Sequence, residues 1–257
     1  MSELFSLSQK VALITGATRG IGLAIAREYG RAGARLAISS ECDEDCRKVA
    51  AELNEEGYEA FAAPADLSRQ SEVKGLADMV LAHFGCIDAL VCNAGIAPHL
   101  GPLASASDAD WALTMTVNLN SAVWLTNALL PAIARQGGGS VVFMASIAGV
   151  RGNKGLGLYG LSKAALAQLA RNLAVEWGSS NIRVNAISPG VIHTEFARPL
   201  TDNPEVMQRR LALTPLRRVG TPEEVAALAL LLAAPGGAFI TGQNLIVDGG
   251  TTIGDGN

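Results

Sequence analysis

A tyrosine and a lysine four residues apart are the most chemically suggestive pair in this sequence. In the stretch "YGLSK", which opens a segment with helical periodicity, Tyr159 and Lys163 would lie on the same helix face. Lowering a phenol pKa from about 10 to about 7 requires roughly 4 kcal/mol, and an ammonium about 4 Å away supplies about that much at an effective dielectric near 20. The spacing predicts a tyrosine that exchanges a proton near neutral pH. The alternative is packing of the ring on the lysine stem.

A glycine-rich loop is the second feature with chemical potential. It reads "TGATRGIG" over residues 15–22 and lies between an apolar segment and a segment with helical periodicity. Glycines let the backbone approach a pyrophosphate, and a helix N-terminus supplies N–H groups with partial positive charge. The spacing is GxxxGxG and not GxGxxG, so a tight strand-to-helix turn without a ligand is the alternative.

Both features must be positioned by seven short apolar segments that alternate with segments of helical periodicity. Such alternation predicts a doubly wound, seven-stranded parallel sheet in a three-layer α/β/α arrangement. No linker or repeat interrupts it, so we expect a single domain over residues 1–257. The predicted strands are residues 11–15, 35–39, 59–63, 89–92, 140–144, 183–188 and 244–247.

One long segment departs from this alternation. Residues 190–220 contain prolines and follow the sixth predicted strand directly. Ligands of doubly wound sheets bind beyond the carboxyl ends of the strands, so this segment is a candidate lid over a substrate. A surface insertion with its own short helices is the alternative.

The composition limits the classes of partner. The 257 residues are 49% hydrophobic and 17% charged, and 20 basic against 24 acidic residues give a net charge of −4 without any Lys/Arg run. This balance disfavours nucleic acid and anionic membranes and favours a small-molecule ligand. The first residues resemble no signal peptide, and the longest apolar run, 225–234, is too short to span a bilayer, so we expect a cytoplasmic protein.

The four cysteines carry no metal-ligand pattern. Cys42, Cys46, Cys86 and Cys92 form no CxxC pair, so we expect reduced thiols that mostly fill the core, and no metal site. A disulfide or a zinc site is the alternative.

Several motifs occur together in a characteristic order. "TGATRGIG" is followed by "NAG" (93–95), "MASIAG" (144–149), "YGLSK" (159–163) and "SPG" (188–190), each beside the end of a predicted strand or the start of a helix. Their order and spacing resemble the short-chain dehydrogenase/reductase family over essentially the whole chain. The resemblance implies a Rossmann-type fold and an enzyme that interconverts a secondary alcohol and a ketone by hydride transfer with NAD or NADP.

The resemblance also implies a catalytic role for four residues. Tyr159 would be the general acid/base, and Lys163 would lower its pKa and hold the cofactor ribose. Ser146 would polarise the substrate oxygen, although a lone serine is usually a turn or cap residue. Asn118 would hold a water that links the lysine to solvent; its neighbour Asn120 is the alternative.

The cofactor contacts implied by the resemblance lie at successive strand ends. Asp66 would contact the adenine amino group, although Asp66 and Ser68 could instead cap the next helix. Where the family usually has a second asparagine, this chain has Cys92, and we expect that position to be structural. The full set is Gly16, Thr18, Arg19, Gly20, Ile21, Gly22, Ser40, Glu41, Asp66, Leu67, Asn93, Ala94, Gly95, Tyr159, Lys163, Pro189, Gly190, Ile192 and Thr194.

The choice between NAD and NADP is made where the second strand ends. An acidic side chain there accepts from a ribose hydroxyl, whereas a basic one pairs with the 2′-phosphate of NADP. Glu41 and the acidic residues 43–45 favour NAD, while Ser40 replaces the usual aspartate and Arg19 favours NADP. Because a carboxylate repels a dianionic phosphate, we expect a mild preference for NAD.

The substrate and the assembly are less constrained. The polar residues Arg151, Asn153, Lys154, His99 and His193 could select a substrate or could be solvated loop residues. The helix predicted near residues 158–177 carries alanine and leucine on more than one face, which, with the resemblance of "TGQNLIVDGG" to a family subunit contact, predicts a homotetramer.

Two other functions are compatible with these motifs. A catalytically silent nucleotide-binding redox sensor could use the same fold, but it would not need the tyrosine. An epimerase or dehydratase is disfavoured because such enzymes typically carry a longer C-terminal substrate domain.

Overall fold

The computed structural model describes residues 3–254, and its strands form one parallel sheet. The strand order is β3-β2-β1-β4-β5-β6-β7, which confirms the doubly wound Rossmann-type topology. The strands are β1 (Val11–Thr15), β2 (Arg35–Ser39), β3 (Ala60–Ala62), β4 (Ala89–Cys92), β5 (Gly139–Met144), β6 (Ile182–Pro189) and β7 (Asn244–Val247).

Helices cover both faces of the sheet. They are α1 (Gly20–Arg31), α2 (Asp43–Glu55), α3 (Gln70–Phe84), α4 (Asp108–Met115), α5 (Ser121–Arg135), α6 (Gly157–Trp177), α7 (Arg198–Thr201), α8 (Pro204–Ala212) and α9 (Pro222–Ala233). A π-helical turn, Thr116–Asn120, joins α4 to α5, and a short 3-10 helix, Glu195–Ala197, precedes α7.

The core is divided between the two faces of the sheet. Val11 and Leu13 of β1 point to the layer that includes α3, α5 and α6, and Ala12 and Ile14 point to the layer that includes α1, α2 and α9. Because successive side chains of a strand alternate between faces, a strand buried on both sides reads as a continuous apolar run. This explains why "VALIT" predicted the strand so sharply.

The segment after β6 forms a separate excursion. Its two ends are tied together, because the Gly220 N–H donates to the Val191 carbonyl at 3.0 Å and the His193 N–H donates to the Gly220 carbonyl at 2.9 Å. Between them lie the Glu195–Ala197 turn, α7 and α8, and no residue of α8 is buried. Within the described part of the chain, no helix combines the length and the apolarity needed to cross a bilayer.

Candidate active site

A cavity of about 520 Å³ lies where six strands end. Parallel strands bring their carboxyl ends to one edge, which is where doubly wound folds bind ligands. Three predicted residues, Thr18, Gly22 and Asn118, do not line this cavity. The predicted residues that do line it are Gly16, Arg19, Gly20, Ile21, Ser40, Glu41, Asp66, Leu67, Asn93, Ala94, Gly95, Ser146, Tyr159, Lys163, Pro189, Gly190, Ile192 and Thr194.

The glycine loop has the shape that a pyrophosphate needs. Gly16 and Gly20 adopt positive φ angles of 61° and 55°, a region that other residues enter with strain. A Cβ on Gly22 would lie 2.1 Å from the Gly16 carbonyl oxygen, so this glycine lies beneath the loop and not in the cavity. The N-cap residue of α1, Arg19, makes no side-chain capping bond. An uncapped helix N-terminus beside a glycine-rich loop fits a dinucleotide phosphate group.

Asn93 holds this loop in place. Its side-chain amide donates to the carbonyls of Thr15 and Gly16, each at 3.0 Å, and its backbone N–H donates to Thr15 Oγ1 at 3.0 Å. These bonds fasten the end of β4 to the turn after β1. Sequence reasoning assigned Asn93 only to the cofactor ribose; the structure adds this positioning role.

The ends of β2 and β3 carry the charged groups expected near the adenosine. Arg19 and Glu41, which sequence reasoning treated as opposing determinants, lie 3.8 Å apart as an exposed ion pair. Asp66 does not cap α3. Its Oδ1 accepts from the Ser68 N–H at 2.9 Å, and the hydrogen bonds from the Ser68 side chain and then from its backbone, with a smaller effect of Arg69, lower the pKa of the Asp66 carboxyl.

Tyr159, Lys163 and Ser146 share one wall of the cavity. Tyr159 lies in the first turn of α6, and Lys163 follows one turn later with its Nζ 5.5 Å from the tyrosine ring centre. Ser146 follows β5, its Oγ accepts from the Ala148 N–H at 3.1 Å, and its side chain lies close enough to that of Tyr159 to lower the tyrosine pKa. Lys163 is 3% exposed and donates to the Met144 carbonyl at 2.7 Å. One proton-transfer group, one further hydroxyl and one cation therefore meet at the cavity.

The pKa of Tyr159 differs from the sequence-based expectation. Burial raises it to about 12, and the Ser146 side chain acts in the opposite direction. Burial also lowers the pKa of Lys163 to about 8, against a small upward effect of Cys92. The helix spacing correctly placed the two side chains together, but it omitted the cost of desolvating a phenolate and the bond that directs the ammonium to Met144.

Asn118 lies in the π-helical turn and is 2% exposed. Its Nδ2 donates to the Ile96 carbonyl at 2.9 Å and to Ser162 Oγ at 3.0 Å, and its Oδ1 accepts from the Ile96 N–H at 2.8 Å. Ser162 lies directly before Lys163, so this side chain joins the loop after β4 to α6. Turns of this kind often occur at functional sites.

The cysteines are free thiols. Cys92 is buried among core residues, and burial raises its pKa to about 12, so it acts as a small apolar side chain beside Lys163. Among residues 3–254, no group of three or more His, Cys, Asp or Glu side chains is arranged to hold a metal ion.

The mouth of the cavity includes residues that sequence reasoning missed. Of the five polar residues considered there, Arg151 and Asn153 line the cavity, whereas Lys154, His99 and His193 do not. Phe196 and Arg210, from the segment after β6, line it as well, and the Phe196 ring lies 5.8 Å from that of Tyr159. Their only signal in the sequence was membership of the candidate lid.

Comparison with known proteins identifies a family to which this chain is similar over nearly its whole length. The model of a family described as enoyl-(acyl carrier protein) reductase matches residues 16–252. Dehydrogenase/reductase SDR family member 4 of Bos taurus is 35% identical over 251 residues, which cover 98% of this chain and 90% of that protein. A tropinone reductase homolog of Arabidopsis thaliana is 36% identical over 250 residues, 97% of this chain and 94% of that protein.

Solved structures agree with the sequence relatives. A 7α-hydroxysteroid dehydrogenase complexed with NADH and 7-oxo glycochenodeoxycholic acid superposes with a TM-score of 0.93 at 36% identity, covering 97% of each chain. A gluconate 5-dehydrogenase from Burkholderia cenocepacia, in complex with NADP and tartrate, gives a TM-score of 0.94 at 32% identity over 98% of each chain. The present chain therefore belongs to the short-chain dehydrogenase/reductase family and is an oxidoreductase of its NAD(P)-dependent type.

Proposed function

We propose that the protein interconverts a secondary alcohol and a ketone, with Tyr159 as the general acid/base. The observation that carries this proposal is the meeting of Tyr159, Ser146 and Lys163 on one wall of a cavity that continues to the glycine-rich loop after β1. NAD(P) supplies or accepts the hydride when it is bound. The protein residues bind and orient the reactants and move the proton.

The hydroxyl groups of Tyr159 and Ser146 would act on the substrate oxygen. With a pKa near 12, Tyr159 is protonated at neutral pH and can donate its proton to the oxygen of a ketone undergoing reduction. Ser146 donates a second hydrogen bond to the same oxygen, where negative charge develops. Alcohol oxidation is the reverse, with the Tyr159 phenolate accepting the proton, and the Lys163 ammonium stabilises that phenolate. Asn118 would help to position Lys163, because its side chain donates a hydrogen bond to Ser162, the residue before that lysine.

We assign the cofactor contacts by strand end. The glycine loop, including Thr18, and the α1 N-terminus would hold the pyrophosphate, and Asp66 with Leu67 would contact the adenine. Residues 93–95 and Lys163 would hold the nicotinamide ribose, and Pro189, Gly190, Ile192 and Thr194 would contact the nicotinamide. Asp66, Leu67, residues 93–95, Lys163 and the four nicotinamide contacts line the cavity, which supports their placement, whereas Thr18 does not line it.

The pH dependence of the two directions should differ. Oxidation requires phenolate, whose fraction grows about tenfold per pH unit below the pKa of Tyr159, so kcat/KM for an alcohol should rise with pH from about 6 to 8. Above the Lys163 pKa of about 8, loss of the ammonium raises the tyrosine pKa, and the rise should flatten. Reduction uses the protonated form and should stay nearly constant over this range. Paired pH profiles check this, and an oxidation rate independent of pH contradicts it.

NAD preference is the second proposal, and Glu41 should control it. Replacing Glu41 with arginine removes the carboxylate that pairs with Arg19 and places two cations at the expected site of a 2′-phosphate. The ratio of kcat/KM for NADP over NAD should rise by about 10- to 100-fold, about 1.4 to 2.8 kcal/mol. The negative field expected from residues 43–45 is partly neutralised, because Asp43 pairs with Arg47 at 2.8 Å.

The matched control for this substitution is Glu44→Arg, which makes the same charge reversal three residues away in the first turn of α2, outside the cavity lining. It should change the ratio of kcat/KM for NADP over NAD by less than about threefold, since the added charge is exposed and screened. A wild-type preference for NADP, together with little effect of Glu41→Arg, would show that Arg19 dominates and would refute the proposal.

We further propose that the chain is a single domain with a lid over residues 190–220, and that it works as a cytoplasmic homotetramer. The tied ends and unburied α8 support a mobile lid. Val175 of α6 is 86% exposed, and Ile246 of the edge strand β7 is 42% exposed. These apolar groups support burial against other copies of the chain.

A panel of alcohols and ketones, followed by nicotinamide absorbance with both cofactors, tests the proposed function. The panel should include sugar acids, hydroxysteroids and an enoyl thioester, because the matched relatives and family model name these chemistries. Turnover of at least one alcohol or ketone is expected. Tight cofactor binding with no turnover of any member would favour the redox sensor instead, and reduction of the enoyl thioester alone would replace the ketone assignment.

A further inference from the structure

Two arginines lie at one end of the cavity. Arg151 follows the short helix after β5, and Arg210 belongs to α8 in the segment after β6. Ser40, Glu41 and Asp66 line the opposite end, since they follow β2 and β3 on the other side of the sheet. Strand order therefore separates the arginine pair from the adenosine end and places it on the side of Ser146 and Tyr159, where a substrate must lie.

Neither guanidinium has a partner in the described part of the chain. No ion pair and no side-chain hydrogen bond involves Arg151 or Arg210 there, whereas Arg19, the third arginine lining the cavity, pairs with Glu41. Arg210 is half-buried, and burial, with a smaller effect of the Arg151 charge, lowers its pKa. Arg151 is exposed, but its charge still repels that of Arg210 across the cavity they both line, and a negatively charged ligand would relieve this repulsion and the partial desolvation of Arg210.

The neighbouring carboxylates are engaged elsewhere. Glu195 pairs with Arg198 at 3.7 Å, and Glu224 pairs with Arg218 and accepts from the Thr221 N–H. Asp248 accepts from the N–H groups of Gly250 and Thr252 at 2.8 and 2.7 Å. Thus the protein side chains lining this cavity and the adjacent smaller one do not neutralise the arginine pair.

We propose that the substrate carries a carboxylate, held by Arg210 and Arg151 at the end of the cavity remote from the adenosine site. This inference rests on the proposed alcohol/ketone activity and specifies its substrate class. Guanidinium groups bind carboxylates through paired, charge-assisted hydrogen bonds, and a half-buried site strengthens such bonds relative to water. Because Arg210 lies on α8, a bound carboxylate would also tie the segment after β6 to the substrate.

Matched acids and esters test this proposal. The probes are methyl-ketone acids of increasing chain length, from acetoacetate through levulinate to longer homologues, each beside its methyl ester. At least one acid should have a KM at least about tenfold below that of its ester, because only the acid can pair with the arginines. Arg210→Gln should raise the KM of that acid about 10- to 100-fold and leave the KM of the ester within about twofold. Arg210→Lys should restore part of the loss, since it keeps charge without the fork geometry.

Arg209→Gln is the control. It removes the same charge from the adjacent position of α8, but Arg209 is exposed, does not line the cavity and donates to the Glu205 carbonyl. It should leave both KM values unchanged within about twofold. Equal KM values for every acid and its ester, or equal effects of Arg210→Gln on both, would overturn the proposal.

Calorimetric titration of the cofactor-loaded protein with each acid and ester separates this proposal from the proposed activity. Acid binding that is weakened by Arg210→Gln and not by Arg209→Gln supports the carboxylate site whatever the turnover. If no ketone is turned over but this pattern is found, the activity proposal fails and the site stands. If ketones are turned over and acids bind no better than esters, the site fails alone.

Discussion

Replacing Tyr159 with phenylalanine should lower kcat by about 10²- to 10⁴-fold, the usual contribution of a general acid/base. The substitution removes the hydroxyl whose pKa the Ser146 side chain lowers and keeps the ring that lies 5.8 Å from Phe196. Packing and cavity shape therefore change little, and the Kd for the nicotinamide cofactor should stay within about threefold of wild type. Steady-state kinetics and a fluorescence titration of the reduced cofactor measure the two quantities.

Tyr58→Phe is the matched control, because it makes the same chemical change at a tyrosine that does not line the cavity. Its activity should stay within about twofold of wild type, the range usual for a substitution away from the site. Retention of more than about a tenth of wild-type activity by the Tyr159 variant would remove this residue from the mechanism, given the contribution expected of proton transfer.

Replacing Gly22 with alanine should abolish tight cofactor binding. The added Cβ would lie 2.1 Å from the Gly16 carbonyl and 2.6 Å from Asn93 Nδ2, so the loop, the amide that holds it, or both must move. Overpacking of this kind costs about 1–3 kcal/mol or more, and we expect the Kd for the cofactor to rise by at least about 100-fold. Titration of the variant with each cofactor measures this effect.

Gly75→Ala separates a local effect from a general cost of losing a glycine. Gly75 lies in the exposed part of α3, and the methyl group of an alanine there would meet no neighbouring side chain or loop among residues 3–254, so this substitution should stabilise the fold by about 0.5–1 kcal/mol and leave the Kd unchanged. Thermal unfolding shows whether Gly22→Ala still folds. A folded Gly22→Ala variant that binds the cofactor as tightly as wild type would contradict the structure of the loop.

The fold was largely predictable because its signals are local. The predicted bounds of β1, β2, β4 and β7 match the structure. β1, β2 and β4 are buried on both faces and therefore read as short apolar runs, whereas β7 is a partly exposed edge strand. The shorter β3 and longer β6 differ at their ends, where pairing with a neighbour decides the last residue: Pro189 extends β6 because it pairs with Val247.

The site was less predictable because its energetics depend on contacts between distant segments. The spacing of Tyr159 and Lys163 gave their proximity but not their burial, which reverses the expected direction of the tyrosine pKa shift. The amide of Asn93 bonds to a loop more than seventy positions earlier in the chain, and no local pattern reports such a bond. Arg210 reaches the cavity only because the segment after β6 returns over it.

The most direct test of the central claim follows one deuterium atom. A reduced nicotinamide cofactor, deuterated at its reactive carbon, is incubated with the protein and a ketone that the substrate panel has identified, and the alcohol is examined by mass spectrometry and NMR. We predict one deuterium on the carbinol carbon and none on oxygen, with the label transfer suppressed by Tyr159→Phe and unaffected by Tyr58→Phe. An alcohol without deuterium on that carbon, or equal transfer by the Tyr159 variant, would contradict hydride transfer supported by Tyr159.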